Sequence, residues 1–147
     1  MEKRIIALDI GDKRIGLAIS DPFNDYAMPV DTYHRTGNFA ADIRAMAEFA
    51  RSREAGTIVC GLPVNADGSA SIQTEKTRRF IDALQAETDL PVLTEDERFT
   101  SIQAHEVLHE EGFRAKKHKK NVDSIAASYI LETYLSRRKN KKQTEGF

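Results

Sequence analysis

The chain contains 147 residues, 40% of them apolar and 31% charged, with a formal net charge of −1. These values are typical of a soluble globular protein with one core, and we predict a single domain over residues 1–147. The apolar run at the N-terminus is short and contains Asp9, so it predicts neither a signal peptide nor a membrane span. The single cysteine, Cys60, has no partner for an intrachain disulfide, which favours a reducing, cytoplasmic setting.

The first predicted element is a β-hairpin. Residues 5–10 have the β-branched content of a buried strand, residues 15–20 form a second apolar run, and residues 11–14 are turn-forming. Asp9 is unusual inside an apolar strand, because a buried carboxylate must be paired, protonated or bound to a metal. Alternatively, Asp9 lies at the end of the strand and accepts hydrogen bonds from the turn.

Seven more elements follow along the chain. We predict strands over residues 27–33, 57–61 and 91–96, and helices over residues 39–53, 72–87, from 100 or 101 to 112, and from 122 to about 138. The order βββαβαβαα predicts an α/β fold: a mixed five-stranded sheet, antiparallel in its first three strands, with helices on both faces. The first strand then lies beside the fourth. Residues from about 136 to 147 are basic, and we expect a flexible tail there.

Three consecutive acids, Glu95, Asp96 and Glu97, end the fifth predicted strand. Two unit charges about 4 Å apart repel by about 4 kcal/mol at an effective dielectric constant of 20. A bound metal cation would turn this repulsion into attraction. The alternative is that these acids point to solvent, with Arg98 as their partner.

Asp123 heads the apolar face of the last predicted helix. Positions 123, 126, 127, 130, 131 and 134 share that face, and all except 123 carry Ala, Ile, Leu or Tyr. The small Ala126 and Ala127 would let the helix lie close to the sheet. The alternative is that Asp123 simply caps the N-terminus of the helix.

Asp9, one of the acids at 95–97, and Asp123 would together form a carboxylate cluster at one edge of the sheet. Oxygen ligands from a few side chains suit Mg²⁺ or Mn²⁺. Two such ions activate water and stabilise the leaving oxygen in phosphodiester hydrolysis. The cluster therefore predicts a metal-dependent hydrolase that acts on phosphodiesters.

The net charge is unevenly distributed along the chain. Residues 114–142 contain ten lysines or arginines and only two acids, so the remaining residues are acidic overall. A basic end of this kind is typical of proteins with a polyanionic partner, and the loop at 114–120 would hold a nucleic-acid backbone. The alternative is a solvated lysine loop and a frayed tail.

Four motifs occur in order along the chain. They are LDIG at 8–11 with RIGLA at 14–18, VCGLP at 59–63 with DGS at 67–69, DERFTS at 96–101, and VDSIAA at 122–127. With these motifs the chain resembles the YqgF family, described as Holliday junction resolvases and as nucleases that process the 5′ end of pre-16S ribosomal RNA. The resemblance extends from Ile6 to Leu135 and implies an RNase H-like fold.

The resemblance also implies a site. It selects Glu97 from the three consecutive acids and implies Asp9, Glu97 and Asp123 as the catalytic set that binds Mg²⁺ or Mn²⁺. Lys13 and Arg14 are then placed to contact phosphate, Arg98 can orient Glu97, and the loop with Asn65, Asp67 and Ser69 can line the substrate groove unless it is an ordinary turn. The expected nucleic-acid contacts are Lys13, Arg14, Asn65, Ser69, Arg98, Arg114, Lys116, Lys117, Lys119 and Lys120.

The predicted function is metal-dependent hydrolysis of nucleic-acid phosphodiester bonds, as an endo- or exonuclease in 5′-end processing of pre-16S rRNA. The alternatives are a Holliday junction resolvase in DNA recombination and a non-catalytic RNA-binding protein, which would lack one of the acids. We expect a nucleic-acid partner and no membrane, and the oligomeric state stays open.

Two further patterns predict other functions. Residues 105–109 match the zinc-protease pattern HExxH, with Glu106 as base and Glu132 as a possible third ligand. However, Val107 and Leu108 define the core face of that predicted helix, and so short a pattern often occurs by chance. An ATPase of the actin and sugar-kinase type also begins with a hairpin that carries Asp and Gly, but the chain is too short for its two domains.

Overall fold

The computed structural model describes residues 2–97 and 122–145. Within these ranges the chain forms five strands and three helices. Their bounds are β1 (Arg4–Ile10), β2 (Arg14–Ser20), β3 (Ala27–His34), α1 (Phe39–Ser52), β4 (Ala55–Leu62), α2 (Ile72–Glu87), β5 (Val92–Asp96) and α3 (Val122–Glu145). The predicted helix ending at 112 and the basic loop at 114–120 lie outside the described residues. No helix in the described ranges is long and apolar enough to cross a membrane.

All five strands belong to one sheet, in the order β3-β2-β1-β4-β5. The β1–β2 and β2–β3 pairs are antiparallel, whereas β1–β4 and β4–β5 are parallel. The predicted mixed sheet is therefore confirmed, with the first strand beside the fourth. Because β1, β4 and β5 are parallel, they all end at the same edge of the sheet, which we call the carboxyl edge.

The helices cover both faces of the sheet, as predicted. Alternate residues of β1 point to opposite faces. Ile6 and Leu8 belong to a core cluster with α1 and α2, whereas Ile5 and Ala7 belong to a second cluster with Ile130 and other residues of α3. From Ile5 onwards, odd-numbered residues of β1 therefore face α3, and even-numbered residues face α1 and α2.

The N-termini of all three helices lie near the carboxyl edge. Asn38 caps α1 by accepting a hydrogen bond from the Ala41 amide at 3.0 Å. Ser71 and Thr74 form a capping box at the start of α2. The first turn of α3 lies against β2, as described below. Helix N-termini carry partial positive charge, so the three dipoles favour anions at this edge.

Helix α3 is longer than predicted. The sequence analysis ended it near residue 138 and expected a flexible tail from about 136, but α3 continues to Glu145. Between 122 and 145 there is no glycine or proline to stop a helix, and Gly146 follows directly. Ion pairs also join this part of α3 to other segments of the chain, namely Arg137 with Glu95, Arg138 with Glu2, and Lys139 with Asp25.

Candidate active site

Asp9 lies near the end of β1, on the face that α3 covers. Its partner across the β1–β2 ladder is Gly16. A Cβ atom added at Gly16 would lie only 1.8 Å from the carbonyl oxygen of Asp123, so a side chain there would force α3 away. Gly16 thus allows the first turn of α3 to rest on the sheet and places Asp123 beside Asp9.

Glu97 follows β5 and reaches Asp9 across the intervening strand β4. Its amide donates a hydrogen bond to the carbonyl oxygen of Leu62 at 3.1 Å, which fixes the backbone beside the end of β4. A Cβ atom at Gly61 would lie 2.5 Å from the Glu97 Oε1 atom. The missing side chain at Gly61 therefore leaves room for the Glu97 carboxyl group, which donates a hydrogen bond to Asp9.

Asp9 and Glu97 form a proton-sharing pair. Burial raises the pKa of Glu97 to about 9, and the hydrogen bond to Asp9 and the negative charge of Asp9 act in the same direction. Burial also raises the pKa of Asp9; the hydrogen bond from Glu97 opposes this rise, and the charge of Asp123 adds to it. At neutral pH Glu97 therefore keeps its proton, which it directs at Asp9.

Asp123 lies close enough for its charge to act on Asp9, but its carboxylate binds Arg14. The Arg14 Nε atom is 3.0 Å from the Asp123 Oδ2 atom. In the part of the chain that the structure describes, no three His, Cys, Asp or Glu side chains come together closely enough to hold a metal ion. The three predicted carboxylates are thus arranged as a pair, Asp9 with Glu97, and a neighbour that pairs with a cation.

The donor chemistry of this pair fits Mg²⁺ or Mn²⁺. Both ions prefer oxygen ligands, and Mg²⁺ is commonly held by one or two carboxylates, with water and substrate phosphate completing its shell. Two adjacent half-buried carboxyl groups joined by a hydrogen bond offer such a site, because a divalent cation would replace the proton between them and offset their repulsion.

Comparisons with known proteins identify the family of this chain. The model of the RuvX family, described as Holliday junction resolvase, matches residues 3–137. The chain belongs to the RuvX family. This confirms the resemblance found in the sequence, since RuvX and YqgF are the same family. Family membership makes the chain a nuclease, a hydrolase that acts on ester bonds.

Two relatives in the RuvX family are each named "Putative pre-16S rRNA nuclease". The relative from Maridesulfovibrio salexigens is 41% identical over 134 residues, which cover 91% of this chain and 98% of that protein. The relative from Clostridium acetobutylicum is 39% identical over 133 residues, covering 90% and 98%.

A solved structure shares the fold. The RuvC protein of Thermus thermophilus, in complex with a Holliday junction substrate, matches with a TM-score of 0.57 and 11% identity over 93% of this chain and 96% of that one. This similarity confirms the RNase H-like fold that the sequence predicts.

The other acids at the end of β5 have different positions. Glu95 is buried and pairs with Arg137 of α3, so it neither points to solvent nor reaches Asp9. The suggested partner of these acids, Arg98, lies outside the described residues. Of the two glutamates at the end of β5, Glu97 is the one whose side chain contacts Asp9.

The predicted nucleic-acid contacts fall into three groups, two within the described residues and one outside them. Lys13 and Arg14 are exposed in and beside the β1–β2 turn, at the carboxyl edge. Asn65 and Ser69 follow β4 at the same edge, but Asn65 donates to Ser69 at 2.9 Å and Ser69 donates to Asp67 at 2.6 Å. These bonds are those of a compact turn.

The remaining predicted contacts lie outside the described residues. They are Arg98, Arg114, Lys116, Lys117, Lys119 and Lys120. The HExxH pattern at 105–109 lies there too.

The sequence analysis missed another buried acid, Asp42, on α1. Its side chain is 1% exposed and accepts hydrogen bonds from Tyr33 at 2.9 Å and from the amide and hydroxyl groups of Thr36. Burial alone would raise the pKa of Asp42, but these bonds and the neighbouring Arg35 lower it. Asp42 lies beside Ile43 on the apolar face of its helix. The pattern that singled out Asp123 therefore also marks Asp42.

Arg35 connects Asp42 to the hairpin turn. Its Nε atom is 3.4 Å from the Asp42 carboxylate, and its Nη1 atom donates to the carbonyl oxygen of Gly11 at 2.8 Å. The Arg35 amide also donates to the carbonyl oxygen of Lys13 at 2.8 Å. We call Asp42 and Arg35 the turn anchor, because they hold the turn that follows Asp9.

Proposed function

We propose that this nuclease depends on a divalent metal and that Asp9, Glu97 and Asp123 are its catalytic, metal-binding residues. The observation that carries the proposal is the half-buried pair of Asp9 and Glu97, which come from the ends of separate strands, with Gly61 of the intervening strand leaving room for Glu97. Mg²⁺ or Mn²⁺ bound there would supply activation of water and stabilisation of the leaving oxygen. Glu97 would release its proton on binding, since metal ligands must be ionised.

Positive charge around this pair supports a polyanionic substrate. Lys13 and Arg14 are exposed at the carboxyl edge, and three helix N-termini lie near it. Lysine and arginine bind phosphates, and helix N-termini favour the same charge. We propose that these groups position the nucleic-acid backbone over Asp9 and Glu97, with further contacts from Asn65, Ser69, Arg98 and the basic residues at 114–120.

The substrate we propose is pre-16S ribosomal RNA, processed at its 5′ end in the cytoplasm during ribosome biogenesis. The names of relatives about 40% identical over nearly their full length support this choice. The family description favours a second candidate, resolution of Holliday junctions in DNA. A non-catalytic RNA-binding role is disfavoured, because all three acids are present and two of them meet.

The test compares Asp9→Asn with wild type on two substrates, a precursor rRNA fragment and a four-way DNA junction, each with Mg²⁺ or Mn²⁺. We expect Asp9→Asn to lower cleavage by more than about 100-fold, because even residues that only support a metal ligand cost up to about that factor. Nucleic-acid binding should persist. Asp82→Asn, an exposed acid on α2, is the matched control and should cleave normally.

The better-cleaved substrate decides between the two candidates. Cleavage by Asp9→Asn at the wild-type rate, in a preparation free of contaminating nuclease, would contradict the proposed site. Binding of both substrates by wild type without cleavage of either would favour the RNA-binding alternative.

A further inference from the structure

Arg14 and Asp123 form an ion pair directly beside the proposed metal site. Arg14 precedes Gly16 by two residues in β2, so the two positions share the face that α3 covers. Asp9 lies opposite Gly16 on the same face. The Arg14 guanidinium therefore lies beside the carboxylates that would bind a metal, and it binds one of them, Asp123, at 3.0 Å.

The backbone of Asp123 has little freedom, because its carbonyl group packs against Gly16. The side chain, in contrast, is 22% exposed and can rotate about its own bonds. A change of partner for Asp123, from Arg14 to a metal near Asp9, would therefore be a rotation of its side chain while the backbone of α3 stays against Gly16.

The Arg14–Asp123 pair is weak enough to exchange. The Arg14 side chain is 58% exposed. Ion pairs between solvent-exposed side chains contribute at most about a fivefold factor to an equilibrium. Guanidinium groups also bind phosphates in a bidentate manner, through donors that match two oxygens at once. A nucleic-acid phosphate at the carboxyl edge is therefore a strong competitor of Asp123 for Arg14.

We propose that Arg14 holds Asp123 away from the metal until a nucleic-acid phosphate binds Arg14, and that Asp123 then joins Asp9 and Glu97 to complete the metal site. This inference rests on the proposed function. It makes Arg14 a positioning residue that links substrate binding to metal binding. Thermodynamic linkage requires the effect to be mutual, so metal at the site also strengthens phosphate binding to Arg14.

The first test measures Mn²⁺ affinity without nucleic acid, by titration calorimetry and by the electron paramagnetic resonance signal of free Mn²⁺. Arg14→Gln should bind Mn²⁺ up to about fivefold more tightly than wild type, because Asp123 is released. Lys13→Gln removes the same charge from the same turn and is the matched control. Its gain should be clearly smaller, because no ion pair joins Lys13 to Asp123 among the described residues.

The double variant separates release of Asp123 from simple charge repulsion. In an Asp123→Asn background, Arg14→Gln should give no gain beyond that of Lys13→Gln, because no carboxylate remains to be released. A gain that persists there, or equal gains for Arg14→Gln and Lys13→Gln, would overturn the inference. Arg14 is exposed, so we expect the variant to fold, and its melting temperature checks this.

The second test adds the phosphate. A short, nuclease-resistant phosphorothioate oligonucleotide should raise Mn²⁺ affinity by a larger factor in wild type than in Arg14→Gln, since only wild type has Asp123 to release. Equal factors would overturn the inference but leave the proposed function standing. If instead Asp9→Asn binds Mn²⁺ as tightly as wild type, the proposed metal site itself is contradicted.

Discussion

Asp42, which is buried, and Asp9, which is half-buried, lie near the carboxyl edge on opposite faces of the sheet. Asp42 is surrounded by donors from Tyr33, Thr36 and Arg35, and its pKa is lowered. Asp9 has another carboxyl group, Glu97, as its direct partner, and its pKa is raised by burial. Burial alone thus does not distinguish the proposed metal ligand Asp9 from the structural acid Asp42. The oxygens of Asp42 already accept hydrogen bonds within the fold. An acid whose partner is a second acid instead keeps oxygens that can bind a metal ion.

The strongest test of this comparison is Asp42→Ala, which removes the acceptor from the turn anchor. Arg35 is mostly buried, and loss of one partner of a buried ion pair costs about 3–5 kcal/mol. We expect the free energy of unfolding to fall by about that amount in urea titrations. Asp31→Asn, at an exposed position on β3, should change it by less than about 0.5 kcal/mol. A small loss for Asp42→Ala would mean that the anchor is not structural.

A second test prevents the first turn of α3 from packing next to Asp9. Gly16→Ala would place a methyl group 1.8 Å from the backbone of Asp123, where nothing flexible can yield. We expect a loss of about 1–3 kcal/mol in unfolding free energy, typical of overpacking, together with loss of cleavage.

Gly61→Ala is the contrasting variant to Gly16→Ala. Its methyl group would meet only the ends of the Glu97 and Ile130 side chains, at 2.5 Å each. Cleavage should fall because Glu97 is displaced, but stability should fall less than in Gly16→Ala. Unfolding free energy and cleavage rate, measured on both variants, check this order, and equal stability losses would contradict it.

A further test concerns pH. Because the pKa of Glu97 is raised from 4.5 to about 9, the folded state keeps a proton that the unfolded state loses. This contribution to stability is complete below about pH 4.5 and is lost progressively as the pH rises through about 9. In EDTA, the melting temperature of wild type should therefore fall more steeply between these pH values than that of Glu97→Gln. Parallel curves would show that Glu97 has an ordinary pKa.

The sequence predicts β1, β2 and β4 well because each contains an apolar run with β-branched residues, and it marks Asp9 and Asp123 because each is an acid within an apolar pattern. It cannot choose between Glu95 and Glu97 from the residues alone. Both lie on the same face of the chain, and their roles depend on Arg137 and Asp9, which are distant in sequence.

The roles of Gly16 and Gly61 are equally hidden from local patterns. Each is needed because a distant segment crosses it, the Asp123 backbone in one case and the Glu97 side chain in the other. The predicted end of α3 was wrong for a different reason. A basic composition was interpreted as a tail, although no residue before Gly146 stops a helix.

Helix α3 fills the core on one face of the sheet and also carries Asp123. Its residues Ala127, Ile130 and Leu131 bury Ile5 and Ala7 of β1, the strand that ends with Asp9. Asp123 therefore reaches its position beside Asp9 in the same cooperative folding step in which α3 buries this half of the core. A chain still folding, or one that has lost α3, would carry Asp9 and Glu97 but lack the third carboxylate of the proposed site. Under the proposed function, cleavage would begin only after this half of the core has formed.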